Sequence, residues 1–354
     1  MGVYDPHPTL LIAEPMAFQT SAFFPLALYQ RITDVRVNNV GLLDKASERR
    51  SKPESLTYDG KLTLLAADHP ARRVTAVGSD PIAMGDRFDY LGRILRVLAT
   101  EFDGVMAPVD VMEELFIIDQ LVVEAGGESF LDDALLIGSV NRGGLQGAAW
   151  EMNDRATSFN AESIAHLRLD GVKLMLRIDL DSRESGETIE HITRVMDDVE
   201  RMGLPIFLET LPVRRGEHGY ELNRSVEELV QTIGVASALG GTSTNVWLKV
   251  PYVDNFERVA RATTLPLLLL GGETQNEIQP VLDMFARGMK AGVNVRGVMA
   301  GRNVLFPPNG EDPAAVAHAI EAIVHDGADA HVAYTRMSDA RGKELDWLLK
   351  LFSK

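Results

Sequence analysis

Lys249 stands in the middle of the apolar run 245–252, and Lys173 in the middle of the run 171–176. Each run has the length of a short strand and is rich in large apolar and β-branched residues. A strand turns successive side chains to opposite faces. Trp247, Lys249 and Pro251 therefore share one face, and Val246, Leu248 and Val250 the other. In the same way Gly171, Lys173 and Met175 oppose Val172, Leu174 and Leu176. If the apolar sets meet covering helices, both amines point into a common interior. Lysine is almost never fully buried unless paired. Desolvation and a second nearby ammonium both lower an amine's pKa. A less basic lysine is the form that attacks a carbonyl to make a Schiff base. Lys249 is the expected nucleophile, with Lys173 beside it; the competing reading is that each lysine sits in a structural ion pair.

Two acids end apolar runs, Asp68 after 61–67 and Glu209 within 204–210. Carbon–carbon cleavage through an imine needs a group that takes a hydroxyl proton and serves carbinolamine formation. Either acid meets that need, and Glu209 is the preferred general acid/base. Gly271-Gly272 and Gly301-Arg302 close two later runs. Glycines let backbone amides approach a phosphate closely, and Arg302 adds charge-assisted hydrogen bonds. The bland alternative is ordinary turn chemistry. The eight histidines form no H-x-H or H-x-x-x-H pair, so no metal site is expected. His69, beside Asp68, is the one histidine singled out. Arg142, Arg214 and Arg215 are within reach of the site but read as solvated surface groups.

Eight apolar runs would position these residues: 61–68, 104–108, 134–140, 171–176, 204–210, 245–252, 265–272 and 295–302. Between and after them lie helix-period segments at 86–100, 111–124, 160–168, 187–202, 225–239, 256–263, 276–291 and 313–324. Near-continuous apolar strands mean a parallel sheet covered on both faces. Eight such units over roughly 250 residues predict a (β/α)8 TIM barrel, with the site at the C-terminal strand ends. A doubly wound open sheet is the runner-up, but no G-x-G-x-x-G follows the first run. Residues 1–58 read as an N-terminal extension packed on the barrel, with one helix at 21–32 and an exposed charged connection at 45–53. Residues 59–328 form the barrel and 329–354 a C-terminal helical segment, with a helix at 344–352. The loop 212–220 reads as basic and mobile.

A chain of 354 residues, 45% hydrophobic, can bury a large core. A net charge of -16 argues against a nucleic-acid or anionic-membrane partner. It leaves room for a phosphorylated small molecule held by a few local arginines and amides. With no cysteine, disulfides, thiolate catalysis and zinc–thiolate sites are excluded. No apolar run approaches the roughly 20 residues of a membrane span, and residues 1–6 lack a secretory pattern. The expectation is a cytoplasmic homo-oligomer that needs no cofactor.

The segments around Lys173, Leu204-Pro205-Ile206-Phe207-Leu208-Glu209, Trp247-Leu248-Lys249-Val250-Pro251 and Gly297-Val298-Met299-Ala300-Gly301-Arg302 resemble one family. It is the group of class I aldolases acting on deoxyribose phosphate, tagatose bisphosphate and, in archaeal type, fructose bisphosphate. The resemblance spans about residues 59–327 and is nearest the tagatose-bisphosphate branch over the fourth to sixth runs. It implies Lys249 as the Schiff-base lysine, Lys173 and Glu209 as its partners, and the last two loops as a phosphate site. Asp68-His69 resembles the acid at the end of the first strand in the fructose-bisphosphate branch. Three departures stand out. The sixth strand reads Lys249-Val250-Pro251 where the family has Lys-Val-Glu-Val-Pro. Asp68-His69-Pro70-Ala71-Arg72 replaces Asp-His-Gly. The extension is long. These bear on substrate more than on chemistry. The whole is similar to aldolase-like barrels associated with inositol catabolism. That implies cleavage of 6-phospho-5-dehydro-2-deoxygluconate to dihydroxyacetone phosphate and malonate semialdehyde. The alternatives are a non-catalytic sugar-phosphate-binding regulatory barrel and a lysine-dependent transferase or thiolase-like barrel.

Overall fold

The computed structural model describes residues 17–217, 219–272 and 276–352. The expectations for residues 1–16 of the extension, and for residue 218 in the loop 212–220, lie outside these. Nine strands run in chain order: β1 Leu62–Ala66, β2 Gly104–Ala107, β3 Leu135–Ser139, β4 Gly171–Ile178, β5 Ile206–Gly216, β6 Gly219–Leu222, β7 Val246–Pro251, β8 Leu267–Leu270 and β9 Val295–Ala300. The pairing order is β4-β3-β2-β1-β9-β8-β7-β5-β6, and β4 also pairs with β5. All strands but β6 therefore close into an eight-stranded parallel barrel, as the alternation of runs and helices predicts, and the open sheet is excluded.

Side-chain alternation divides the core in two. Leu62, Leu64, Ala66, Met106, Leu135, Ile137, Phe207, Leu268 and Met299 fill the barrel interior. The opposite faces, such as Leu65, Val105, Leu174, Leu208, Leu248 and Val298, pack under the surrounding helices. On β5 and β7 the inward rings Phe207 and Trp247, 6.1 Å apart, lie one inward position below Glu209 and Lys249. Glu209 and Lys249 are register partners across the β5–β7 pair. An apolar plug thus supports a charged layer at the C-terminal strand ends.

Three elements differ from expectation. The segment 45–53 is no exposed connection: helix Leu42–Arg49 packs on helix Val109–Glu124, and Arg50 is buried. Arg50 donates to the carbonyls of Leu131, Arg168 and Ala134 and pairs with Asp170 at 2.5 Å. A guanidinium carries five donors, and enough fixed acceptors here repay its desolvation. The loop 212–220 is a hairpin of β5 and β6, in which Val213 pairs with Leu222 and Gly216 with Gly219. The first helix, Leu26–Asn38, begins after Pro25 rather than spanning it, since proline suits a helix start and not its interior. Helix Ala330–Ala340 packs on helix Pro313–Val324 as part of the C-terminal segment. Among the described residues no helix is long and apolar enough to cross a membrane.

Candidate active site

Lys173 and Met175 occupy successive inward positions of β4, and Arg177 follows them toward the mouth. Lys173 Nζ lies 3.0 Å from Asp68 Oδ2 and 2.6 Å from Glu209 Oε2. The second contact is the shorter of the two, and the Lys173 hydrogen bond and charge both act on Glu209. Lys249 Nζ lies 3.0 Å from Glu209 Oε1. The two lysines are therefore joined through one carboxylate, and Glu209 is the centre of the cluster. Asp68 Oδ2 also accepts from Ser139 Oγ at 3.0 Å and from Arg72 Nε at 3.5 Å. All four predicted catalytic side chains are buried.

The electrostatics follow from that arrangement. Burial pulls the Lys249 ammonium below the ordinary lysine range; the charge of Lys173 adds to this, and Glu209 opposes it. Burial alone would raise Glu209, but Lys173 and Lys249 outweigh it and hold the carboxyl at about 2. Burial would also raise Asp68, and Lys173 and Arg72 instead hold it well below the usual carboxylate range. The cluster is a charge-balanced set in which burial eases the Lys249 amine toward its neutral form.

A cleft of about 640 Å³ opens above this layer. Lys249, Glu209 and His69 line it, together with Gly271, Gly272, Gly301 and Arg302. Lys173 and Asp68 do not; they stand behind the wall and act on it through Glu209 and Arg72. The two glycine turns are tied together. Asn303 Nδ2 donates to the Gly271 carbonyl, and Arg302 Nη2 donates to the Gly272 carbonyl at 3.4 Å. Gly301 must be glycine: a Cβ would stand 2.3 Å from the Ala66 carbonyl oxygen and 2.3 Å from His69 Cε1.

Arg72, Arg177, Arg224 and Tyr220 also line the cleft, and sequence reasoning missed them. Arg177 was legible: it continues the inward alternation from Lys173 through Met175 two residues past the run assigned to that strand. Arg72 is four residues after Asp68 and pairs with it. Tyr220 and Arg224 reach the cleft only because of the hairpin, which no local signal marked. Arg142, Arg214 and Arg215 are not among its lining. Glu151 knits this side together, pairing with Arg177 at 2.8 Å and accepting from the Gly147 amide at 2.9 Å and the Tyr220 amide at 3.4 Å. Among the described residues no group of three or more His, Asp or Glu is placed to hold a metal ion.

The profile of the Cgl0159-like family matches residues 60–320. The crystal structure of Cgl0159 from Corynebacterium glutamicum is 31% identical, covers 85% of this chain and 98% of its own, and superposes with a TM-score of 0.78. An archaeal fructose-1,6-bisphosphate aldolase, solved with its catalytic lysine bound to a carbinolamine intermediate, shares the fold at a TM-score of 0.53 and 20% identity, over 80% of this chain and 99% of its own. Among curated relatives, a 2-amino-3,7-dideoxy-D-threo-hept-6-ulosonate synthase of Archaeoglobus fulgidus is 28% identical over 49% of this chain and 60% of its own. A 3-hydroxy-5-phosphonooxypentane-2,4-dione thiolase of Salmonella paratyphi A is 26% identical over 54% and 62%. The chain thus spans about three-fifths of the length of the curated relatives it matches.

Proposed function

This chain belongs to the Cgl0159-like family, and from that premise we propose that it is a class I aldolase, making or breaking a C–C bond through a Schiff base on Lys249. One observation carries the reading: a lysine pulled toward its neutral form lines a cleft, at 3.0 Å from a carboxylate that a second lysine keeps ionised. As a neutral amine Lys249 attacks the substrate carbonyl, and the Glu209 carboxylate is placed to stabilise the positive charge that develops on its nitrogen. Lys173 and Asp68 position Glu209 and set its charge. Gly271, Gly272, Gly301 and Arg302 are the proposed phosphate site, across the barrel from β4.

The reading extends to a substrate with two anionic ends. Arg302 serves a phosphate on one side with Arg224, whose guanidinium stands beside Gly272, while Arg177, paired with Glu151, lines the rest of the cleft. A 6-phospho-5-dehydro-2-deoxygluconate, with its phosphate and carboxylate, meets that description. A thiolase-like cleavage is the second reading, favoured by the curated thiolase among the relatives. Borohydride reduction in the presence of dihydroxyacetone phosphate, followed by peptide mass analysis, tests the class. The expected adduct is on Lys249; an adduct on Lys173 reverses the roles of the two lysines. No adduct across a panel of phosphorylated aldehydes and ketones removes the Schiff-base mechanism.

A further inference from the structure

We propose that His69 carries the substrate's hydroxyl proton in this cleft, a catalytic role that rests on the Schiff-base reading of Lys249. His69 follows β1 directly after Asp68 and lines the cleft with Lys249 and Glu209. Its ring is seated against Gly301, where no larger residue fits. Its Nδ1 is enclosed and has no hydrogen-bond partner. Leaving such a group unpaired is unfavourable, and a catalytic role is one reason for which native structures keep such a group.

The charged groups clustered around Lys249 are unsuited to the task. A proton carrier must pass between its two forms near the working pH. Glu209 is locked as a carboxylate at about 2 by its two lysines. Asp68 stands behind the wall and is held lower than usual by Lys173 and Arg72. Lys249 is committed to the imine, and the arginines remain protonated. His69 is left as a neutral imidazole. Burial pushes it down to about 4; Arg302 and Lys249 push the same way, and Asp68 and Glu209 oppose them. A phosphate dianion placed on Arg302 would cancel one of those cations and restore part of the ring's basicity. Substrate binding would then itself prepare the base.

In the cleavage direction the imidazole takes the proton of the hydroxyl on the carbon β to the iminium carbon. The C–C bonding pair moves toward the iminium, forming an enamine, and the aldehyde leaves. The imidazolium then delivers that proton to the enamine carbon. Water hydrolyses the regenerated iminium, releasing the ketone and the free Lys249 amine.

The test compares the full-length wild type with His69→Asn, His69→Ala and Tyr220→Phe, the last because the Tyr220 side chain also lines the cleft. Two quantities are read with dihydroxyacetone phosphate: borohydride trapping on Lys249, and exchange of its carbon-bound hydrogen with D2O by NMR. Both His69 variants are expected to trap as the wild type does while exchange falls about 10²–10⁴-fold. Added imidazole is expected to restore exchange in His69→Ala alone. Each of these outcomes overturns the proposal: exchange at the wild-type rate in the His69 variants, loss only in Tyr220→Phe, or loss of exchange in His69→Ala that imidazole does not restore. Folded His69 variants that no longer trap show a structural prop instead. A wild type that traps nothing defeats the Schiff-base reading, and this proposal with it.

Discussion

Both ends of the barrel bury charge, but they finish the job differently. At the N-terminal end Arg50 is held by three carbonyls and by Asp170, whose Oδ2 also accepts the Leu136 amide at 2.9 Å. His325 sits 3.1 Å from both Asp59 and Asp103, one carboxylate on each ring nitrogen. At the C-terminal end the pairing is incomplete. His69 Nδ1, Arg177 Nε and Asn303 Oδ1 are enclosed without hydrogen-bond partners, and all three residues lie in or beside the cleft. At the lower end Glu321 Oε1 also lacks one, but its carboxylate is held through Oε2 by His318 at 2.8 Å. Saturated ion clusters fix a fold. Unsaturated ones leave groups whose charge can change during a reaction. The same residue types therefore do structural work below and chemical work above.

Lys249→Met breaks the comparison at its sharpest point. Methionine fills a similar volume, so the fold should persist. Turnover should fall on the order of 10⁴-fold or more, with no borohydride adduct. A variant that still turns over would make the upper cluster as structural as the lower one. Arg50→Met is the mirror experiment. It leaves Asp170 with only the half-buried Lys52 at 3.1 Å as a charged partner and should destabilise by no more than about 3–5 kcal/mol, the cost of a wholly unpaired buried charge. Thermal or denaturant unfolding reads the loss, while activity per folded molecule should stay at the wild-type level because Arg50 has no part in the cleft.

The contrast also explains what the sequence could show. Alternation around Lys173 and Lys249 revealed both the barrel and the inward direction of the two amines, because a period of two is a local property of the chain. It did not show that Glu209 bridges them, since that depends on the register between β4, β5 and β7. Glu209 was nonetheless singled out, for an acid after an apolar run is locally visible. The partners of Arg50 come from 81 to 120 residues away in sequence, so the stretch around it read as exposed polar chain. His69 drew attention only as Asp68's neighbour. Its enclosure by Gly301 is a contact between the first strand's end and the last strand's end.

Acid titration distinguishes the two ends by a smaller effect. The folded Glu209 carboxyl titrates at about 2, below the ordinary glutamate value of about 4.3. Its contribution is therefore present above about pH 4.3 and is lost as the pH falls toward 2, in total about 3 kcal/mol. Glu209→Gln should be less stable than the wild type at neutral pH, with the gap narrowing through that acid window. A gap that stays constant with pH would mean that packing, not charge, holds the cluster.

His325 gives the opposite sign and the smallest effect. Burial lowers its pKa, but the hydrogen bonds and charges of Asp103 and Asp59 overcome that and leave it raised. A raised histidine contributes its stabilisation fully below the unfolded value of about 6.5, and loses it as the pH climbs through the folded value. The ring is near Tyr58, which stacks on it at 5.0 Å, and near Lys61, which pairs with Asp59 at 3.6 Å. The site is partly open to water, so the effect should be no more than about 1 kcal/mol. His325→Asn should melt below the wild type at pH 6 and close to it at pH 9, with imine trapping on Lys249 unchanged at both. A melting gap that widens toward pH 9 would show the imidazole buried neutral between two carboxylates. The lower end would then hold a titratable ring left uncharged between its acids, and the division of labour between the two ends would fail.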